Sequence, residues 1–470
     1  MLSLVDNIII VIAVILIISI AIYFSKTIRN MESYFVCNKT LPWSLTVGAL
    51  VATWYGGVGT LGSVEWFAIY GLSMFLMWCF TAHLGRIPLA LWVGPKMQLR
   101  TDITVPDVLL RTYGKPVAII GAILMLVYSC QFGNITSSGF VGKVAWGAPY
   151  LVTGIIVIAI VVTIAVASGL MGVAVTDMIM FFFLGSAVAI TVPIQWSRLG
   201  GWAAVSDAMA DKPELLNPVG GLTVTQALFF IIIALTVYAD PAFYQRFSAS
   251  DSPGAGRKAM LTCLLIWIVM DIVLLATGMM VDVLHPELDP GLGYVTLVLE
   301  TLPVGFRALF VVALIGSAIS ALDGYLLCGG TILAYDIYGK LKRKTTQKEL
   351  LLLTRFSVVL LGIIGVTVAF TVTNAQDIYA LLAAIWSAGG VIPIAGALIY
   401  KGKKTPTGGM LSMLGGSLLY IYTLFFPVTF VEDPLPLCFL LSLILYVIGN
   451  RIGKPITNTE KLIVGEEAQL

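Results

Sequence analysis

The sequence predicts an all-α integral membrane protein with about thirteen transmembrane helices, whose core is a 5+5 inverted repeat. Three observations predict this class. Hydrophobic residues make up 59% of the 470 residues and charged residues 11%, where a soluble domain carries about 25% charge. Apolar runs of about twenty residues, the length that crosses a bilayer, recur along the whole chain. Lysine and arginine cluster in alternate joints between these runs.

The apolar runs set the predicted domain limits. An extra helix and a cytoplasmic linker occupy 1–30, the core occupies 44–400, and 401–470 contains the last helices and a short cytoplasmic tail. No basic segment precedes the first run and no small-residue cleavage site follows it, so we expect a retained helix rather than a signal peptide. The predicted spans lie near 4–24, 44–66, 70–93, 116–141, 150–168, 175–195, 222–243, 259–281, 305–333, 351–373, 378–400, 408–427 and 434–449.

The loops rich in lysine and arginine predict how the chain is oriented in the membrane. By the positive-inside rule they are cytoplasmic, which places the N-terminus outside and the C-terminus inside. The opposite joints carry far fewer basic residues, with Lys143, Arg198 and Lys212 as the exceptions. The basic joints contain Lys26 and Arg29; Lys96, Arg100, Arg111 and Lys115; Arg246, Arg257 and Lys258; the lysines from 340 to 348; those from 401 to 404; and Arg451 with Lys454.

Composition also excludes several classes of protein. The six cysteines are scattered without metal-ligand spacing, and His83 and His285 lie far apart, so we expect free thiols and no metal site. A net charge of +2 implies neither a nucleic acid nor an acidic partner. Nothing indicates a hydrolase, an oxidoreductase, a bound cofactor or an obligate protein partner.

Two predicted spans are interrupted. The second contains Trp54-Tyr55-Gly56-Gly57, and the seventh ends in Tyr238-Ala239-Asp240-Pro241. Such breaks free backbone groups that lipid cannot satisfy, so they occur where they line a cavity or are buried in protein. They open two sets of five spans, 44–195 and 222–400, as in an inverted repeat whose broken helices meet at a central site. Close helix packing by glycine is the alternative explanation.

Polar residues inside spans are candidate site residues because they are costly in a bilayer. Ser317 and Ser320 are three residues apart and share a helical face, and hydroxyls together with freed carbonyls suit a hard cation. Asp177, at the start of the sixth span, is either functional or a carboxylate favoured by the helix dipole. Asp323 lies deep in the ninth span, and Asp271 is either functional or a polar contact between helices.

Other residues at the breaks suit a polar solute. Gly56 and Gly57 allow close approach, and Trp54 and Tyr238 offer flat rings that stack on a sugar or surround a cation. Asp240 lies at the second break, where its carboxylate is available to a cation or a donor. Gln131 and Asn134 place amides in the fourth span, where each needs a partner.

Five short motifs, taken in order, resemble the sodium/solute symporter family over nearly the whole chain. ATWYGG at 52–57 is similar to the first core helix of that family. TVPD at 104–107 with RTYG at 111–114 is similar to its TxPxxLxxRxG loop. GVAVTD at 172–177 is similar to GGxxAVxxTD, and YQR at 244–246 to the QR that closes the sixth core helix. SALD at 320–323, followed by DIY at 336–338, is similar to STADS…DIY.

The resemblance implies a leucine transporter-like core and a Na⁺ site formed by the first and eighth core helices. The carbonyls of Ala52 and Tyr55 and the positions of Ser317, Ser320 and Ala321 would form it, and Asp177 matches an acidic residue linked to ion coupling. Ala321 departs from the family pattern because the family usually has a second hydroxyl there. Residues 52–57 and Glu65 are also similar to choline-type members of the family, whose substrates otherwise include amino acids, carboxylates, sugars and vitamins.

The sequence therefore predicts a secondary active transporter that carries a small polar organic solute with a cation, Na⁺, by alternating access. A solute sensor, or a carrier coupled to protons or uncoupled because the Na⁺ site is incomplete, is the alternative. A channel is disfavoured because no repeated selectivity filter is present. The expected partners are the solute and the lipid bilayer, and the expected location is the plasma membrane.

Overall fold

The computed structural model of the chain describes residues 2–100, 102–201, 203, 206–207, 209–210, 212–342, 344–369, 371, 375–429 and 431–456. The predicted cytoplasmic tail from 457 onward lies outside these residues. The described chain is helical, and its one β-type contact is a bridge between Leu41 and Ser250. The prediction of an all-α protein is thus confirmed.

Twenty α-helices are described, and we number them in chain order. They are α1 Leu4–Phe24, α2 Met31–Phe35, α3 Trp43–Trp54, α4 Ser63–Met74, α5 Thr81–Pro88, α6 Gly94–Leu99, α7 Val105–Tyr113, α8 Lys115–Tyr128, α9 Gly133–Trp146, α10 Tyr150–Leu199, α11 Val224–Ala234, α12 Pro241–Ala249, α13 Pro253–Leu284, α14 Pro290–Thr301, α15 Phe306–Thr331, α16 Gln347–Ala369, α17 Ala375–Gly389, α18 Val391–Leu398, α19 Pro406–Phe425 and α20 Leu435–Ile452.

Several helices continue through wider π-helical turns. Val58–Gly62 precedes α4, Phe75–Phe80 and Leu89–Val93 flank α5, and Ile332–Gly339 extends α15. Wide turns of this kind are frequent at functional sites because they displace side chains from the regular helical register. The first of them begins directly after the break in the second predicted span.

Ten helical segments within the described residues are long and apolar enough to cross a membrane, or eleven if the bent pair Asp377–Gly389 and Val391–Leu398 is one span. Two of these segments, Val58–Leu99 and Tyr150–Arg198, are 42 and 49 residues long. Each exceeds the roughly 20 residues that one crossing needs, and each contains non-helical backbone, at Gly71 and Gly169. The first contains the predicted span 70–93 and the end of 44–66, and the second contains the predicted spans 150–168 and 175–195. The count of thirteen and the inverted repeat remain predictions.

The outer helices are apolar on both faces, which is the pattern expected of helices between protein and lipid. In α1, Ile10 and Ile17 are buried against the protein, whereas Leu4 and Ile12 are exposed. Exposed apolar side chains of this kind would be a liability in water but are favoured in hydrocarbon.

The innermost helix is α15, which is buried from Phe310 to Thr331 apart from Ile315. It packs against α3, α9, α10, α12 and α16. Small residues on α15, such as Gly316, Ala318, Ala321 and Gly324, allow these neighbours to approach closely. The helices that carry the two breaks, α3 and α12, contact each other as well as α15.

Candidate functional site

The first break lies between α3 and the wide turn that precedes α4. Tyr55 ends α3 with φ −89° and ψ 46°, and helical structure resumes at Val58. A Cβ on Gly56 would lie 2.3 Å from Cβ of Ala321, and one on Gly57 would lie 2.0 Å from Oγ of Ser137. Both glycines are therefore required by the close packing of this segment against its neighbours, and the helix ends here.

The second break separates α11 from α12. A 3-10 turn, Leu235–Tyr238, follows α11, and Asp240 caps α12 by accepting hydrogen bonds from the backbone N–H groups of Ala242 and Phe243 at 2.8 and 3.1 Å. The hydroxyls of Tyr128 and Tyr325 donate to its other oxygen at 3.0 and 2.8 Å. All four bonds serve the protein itself. In this conformation Asp240 holds the start of α12 and orients two tyrosines.

A small cavity lies beside the first break. Its volume of about 30 Å³ has room for water, but it is too small for an organic solute, so solute entry requires this region to open. Four of the predicted solute residues line it, namely Trp54, Gly56, Gln131 and Asn134, whereas Gly57, Tyr238 and Asp240 do not. The other lining residues, which were not among the predicted solute residues, are Thr53, Val58, Gly59, Trp78, Ala321, Tyr325 and Tyr379.

The amides of the fourth predicted span have the partners that their burial requires. Asn134 accepts a hydrogen bond from the backbone N–H of Val58 at 3.0 Å, and its amide group donates to the carbonyl of Gln131. The amide of Gln131 donates to the carbonyl of Tyr128. Asn134 thus joins α9 to the first residue after the break and places both amides at the cavity wall.

Of the predicted ion residues, Ser320 and Asp177 contact each other, whereas the side chains of Ser317 and Tyr55 have other partners. Ser320 on α15 donates to Asp177 on α10 at 2.5 Å, so these two are brought together. Ser317 donates to the carbonyl of Leu314 within its own helix. The hydroxyl of Tyr55 donates to Asp271 on α13.

The predicted carbonyl site nevertheless lies near Ser317. The carbonyl oxygen of Ser317 is 3.4 Å from the position that a Cβ on Gly56 would occupy. The broken end of α3, which includes Ala52, and this part of α15 are therefore adjacent. Ala52 is buried there.

Asp177 belongs to a buried group of charges that the sequence did not assemble. Nη2 of Arg246 is 3.8 Å from Oδ2 of Asp177, which is within ion-pair range but beyond a hydrogen bond. Asp323 lies one turn from Ser320 on α15, and neither of its carboxylate oxygens has a hydrogen-bond partner among the described residues. All three charged side chains are completely buried. Carboxylate and hydroxyl oxygens are ligands that hard cations prefer, so these residues fit a bound Na⁺.

Another buried charge, Arg86 on α5, was not predicted from the sequence. Its guanidinium lies 3.7 Å from the ring centre of Trp54, 4.3 Å from that of Trp267 and 5.6 Å from that of Phe243. The signal was available, because an arginine inside an apolar span is rare and usually functional. We refer to Arg86, Asp177, Arg246 and Asp323 as the break-site charges.

Charged residues at the loop end of α15 form a different arrangement. Nζ of Lys340 lies 2.8 Å from Oδ1 of Asp107 and also pairs with Asp336. The hydroxyl of Thr104 donates to Asp336 at 2.7 Å. We call these four residues the loop cluster. Two of the family-like motifs, 104–107 and 336–338, thus meet in space although more than 200 residues of sequence separate them.

Lys340 pairs with both carboxylates of the loop cluster. Burial alone would lower the pKa of Lys340, but Asp107 and Asp336 outweigh this effect and raise the pKa above its ordinary value. The lysine therefore stays charged at physiological pH. Nearby, Asp102 pairs with Arg111 at 2.5 Å and with Arg100.

The chain has relatives of known function. The profile of the Sodium:solute symporter family matches residues 34–416. A sodium/proline symporter of Staphylococcus aureus strain bovine RF122 / ET3-1 is 25% identical over 431 residues, which cover 85% of this chain and 81% of the relative. Another sodium/proline symporter of Staphylococcus aureus is 25% identical over 435 residues, which cover 86% and 82% of the two chains.

Solved structures establish the fold. A Na⁺-coupled sialic acid symporter in a substrate-bound outward-open state aligns with a TM-score of 0.81 at 12% identity, covering 97% of this chain and 99% of that one. MhsT in complex with L-phenylalanine aligns with a TM-score of 0.55 at 13% identity, covering 90% and 98%. The predicted leucine transporter-like fold is confirmed. Since the family profile matches most of the chain and the fold agrees, this protein belongs to the sodium:solute symporter family.

Proposed function

We propose that this chain is a secondary active transporter that carries a small polar organic solute together with Na⁺ by alternating access. The observation that carries the proposal is the buried group of oxygen ligands Asp177, Ser320 and Asp323, which lies on helices packed against the first break. A site for a cation beside a site for a solute is the arrangement that coupling requires, because each ligand must change the equilibrium between the same two conformations.

The proposal that Na⁺ binds here is supported by an excess of buried negative charge. Asp177 and Asp323 are buried carboxylates, and Arg246 is the cation paired with the first of them. Unpaired charge in this setting is costly, so a bound cation would relieve it. We propose that Na⁺ binds here, with the carbonyls of Ala52 and Tyr55 and the residue Ser317 as the predicted second set of ligands at the break.

The solute step rests on the cavity. Trp54, Gln131 and Asn134 combine a flat aromatic surface with two amides, as expected for an organic solute with polar groups. Tyr238, Gly57 and Asp240 remain proposed solute residues for a conformation in which the breaks have moved. Opening of the cavity to one side at a time, with the ion gradient as the energy source, completes the cycle.

We further propose a plasma-membrane location with the N-terminus outside and the C-terminus inside, as the basic joints predict. The core over 44–400, with its repeats 44–195 and 222–400, would be the moving part, and the segments 1–30 and 401–470 would flank it. Labelling of single cysteines introduced at Ser3 and Lys403 with a membrane-impermeant thiol reagent in intact cells tests the orientation. The proposal requires labelling at Ser3 and protection at Lys403.

Uptake into proteoliposomes tests the function. The purified protein is given an inward gradient of Na⁺, K⁺ or H⁺ with a labelled solute, and proline is the first solute to try because the curated relatives transport it by name. Solute accumulation driven by Na⁺ alone supports the proposal. Accumulation driven only by a proton gradient would show that the proton, and not Na⁺, is the coupling ion. Solute binding without counterflow of labelled solute would indicate a sensor.

A pair of serine variants tests the ion site. Ser320→Ala removes a hydroxyl that lies against Asp177, whereas Ser442→Ala removes one whose partner is Ser412, at 2.8 Å, on the outer helix pair. We expect Ser320→Ala to raise the Na⁺ concentration for half-maximal uptake and Ser442→Ala to leave it unchanged. Unaltered Na⁺ dependence in Ser320→Ala would show that the ion binds elsewhere.

A further inference from the structure

Arg86 lies between the two breaks. Its guanidinium stacks on Trp54, the last residue of α3 before the first break, and it also faces the ring of Phe243, in the first turn of α12 after the second break. The neighbouring Gly85 packs against Val237 and Tyr238 in the turn between α11 and α12. Arg86 is thus placed where the broken helices of this fold meet.

Only part of the guanidinium is used by the protein. Nη1 is 2.9 Å from Nδ1 of His83, whereas Nε and Nη2 have no hydrogen-bond partner among the described residues. The carboxylate of Asp271 is hydrogen-bonded by His83 at 2.7 Å and by the hydroxyl of Tyr55. Asp271 therefore balances the charge through His83 without reaching the free edge of Arg86.

The free edge has a definite chemistry. Nε and Nη2 are parallel donors spaced to match the two oxygens of a carboxylate, and such paired bonds are stronger and more directional than single neutral ones. Trp54 and Trp267 lie at stacking distances that restrict the guanidinium. Arg86 is 0% exposed, so bulk water does not compensate these donors.

Trp54 connects Arg86 to the cavity. The indole lines the cavity and also covers the guanidinium, so movement of this one side chain would join the two. The cavity-lining groups that face the same space, including Gln131, Asn134 and Tyr379, carry no charge. Arg86 is the cation that stacks on the cavity-lining Trp54, so an anionic group on the solute would meet it once the indole moves.

We propose that Arg86 binds a carboxylate of the transported solute through its Nε and Nη2 edge, and that the solutes of this protein are small organic acids or amino acids. This inference rests on the proposed function and specifies its substrate class. The remaining parts of the solute would contact Trp54 and the amides of Gln131 and Asn134.

The wild-type protein provides the first test, which needs no variant. Thermal unfolding in detergent with Na⁺ present is measured against matched pairs that differ only in the acid group: L-proline and L-prolinamide, lactate and lactamide, nicotinate and nicotinamide. Loss of one partner of a buried charged pair weakens binding by about 30-fold or more. We expect at least one acid to raise the unfolding temperature at a concentration about 30-fold lower than its amide.

Substitutions provide the second test. Arg86→Lys retains the charge but not the paired donors, and Arg86→Gln removes the charge; Arg257→Gln, at an exposed position on α13, is the matched control. We expect both Arg86 variants to weaken acid binding about 30-fold or more while amide binding changes by less than about 3-fold. The control should behave as wild type. If a variant fails to fold, the comparison of acids with amides in the wild-type protein still tests whether a carboxylate is bound.

Three results would overturn the inference: amides that bind as tightly as acids, no stabilisation by any acid, or an equal loss of acid and amide binding in Arg86→Lys. The proposed function can be judged separately. Na⁺-driven uptake of a neutral or cationic solute would support symport while removing the carboxylate assignment. Acid binding that is selective but does not lead to uptake would support the role of Arg86 while removing transport.

Discussion

The loop cluster and the break-site charges are both buried groups of acidic and basic side chains, but they are paired very differently. In the loop cluster, Lys340 contacts both Asp107 and Asp336 directly. Among the break-site charges, Arg86 has a free donor edge and Asp323 has no hydrogen-bond partner among the described residues. Completed pairs hold the ends of helices together, whereas incomplete pairs leave capacity for an ion or a solute.

The loop cluster and the break-site charges also lie in different parts of the fold. The loop cluster joins the start of α7 to the wide turn that extends α15. The break-site charges lie where α3 and α12 meet α15, and the broken helices free the backbone for other ligands. We therefore expect substitutions in the first group to affect stability and those in the second to affect transport. Four variants are ordered by their expected effect on stability; Lys340→Met and Asp323→Asn compare the two groups directly, and Gly56→Ala and Tyr55→Phe probe the packing around the first break.

The largest loss of stability is expected from Lys340→Met. The change leaves Asp107 and Asp336 buried without their cation, and breaking a buried pair from one side costs about 3–5 kcal/mol. Thermal unfolding in detergent measures it. The control is Lys342→Met, which removes a pair with Glu349 near the surface. Equal unfolding temperatures for the two variants would contradict a structural role for the loop cluster.

Gly56→Ala should have the next largest effect. A Cβ at this position would lie 2.3 Å from Cβ of Ala321 and 2.8 Å from Oδ1 of Asn134, and overpacking of this kind costs about 1–3 kcal/mol. Gly185→Ala is the matched control, since a Cβ there has no neighbour within 4 Å. We expect Gly56→Ala to lower both the unfolding temperature and solute uptake. Normal uptake by this variant would argue against close packing at the first break.

Tyr55→Phe should cost about 1.5 kcal/mol, at the lower end of the range for a hydrogen bond to a charged group. The change removes a hydroxyl that contacts Asp271 and the carbonyl of Trp267, while His83 still donates to Asp271. Tyr422→Phe, at a position where the ring is 55% exposed, serves as the control in the same unfolding assay. A much larger loss of stability in Tyr55→Phe would show that the hydrogen bonds of Asp271 stabilise the fold as the loop cluster does.

Asp323→Asn should have the smallest effect on stability and a large one on coupling. Neither oxygen of Asp323 is hydrogen-bonded, so removal of its charge should leave the unfolding temperature unchanged or raised. The Na⁺ concentration for half-maximal uptake should rise on the order of 10-fold. Na⁺ titration of uptake in proteoliposomes measures this change. An unfolding temperature that falls as far as in Lys340→Met would remove the distinction between the two groups.

Much of the molecule was predictable because its signals are local or periodic. Apolar runs of membrane length predicted the all-α class, which the structure confirms, and glycines and proline predicted the two breaks. Five motifs predicted the family, which the profile match confirms. Gln131 and Asn134 were predicted from the cost of amides in lipid and Trp54 from its flat ring at the first break, and all three line the cavity. The ligand roles of these residues remain predictions.

Other features could not be predicted because they depend on which helices meet. Asp177 and Ser320 are 143 residues apart in sequence and form a hydrogen bond. The sequence places Arg86 inside the third predicted span, but only the structure shows that it lies between Trp54 and Trp267. Asp240 was predicted to be available to a ligand, but two tyrosines and the first turn of α12 occupy its oxygens in this conformation.

By itself the sequence determined that this protein lies in a membrane, where its helices break and to which family it belongs, because these properties depend on solvent transfer and backbone geometry within one segment. Only the tertiary structure decided which buried charges are paired. Pairing depends on distances of a few ångströms between helices far apart in sequence. Lys340 has two carboxylate partners, whereas Nε and Nη2 of Arg86 have no hydrogen-bond partner among the described residues.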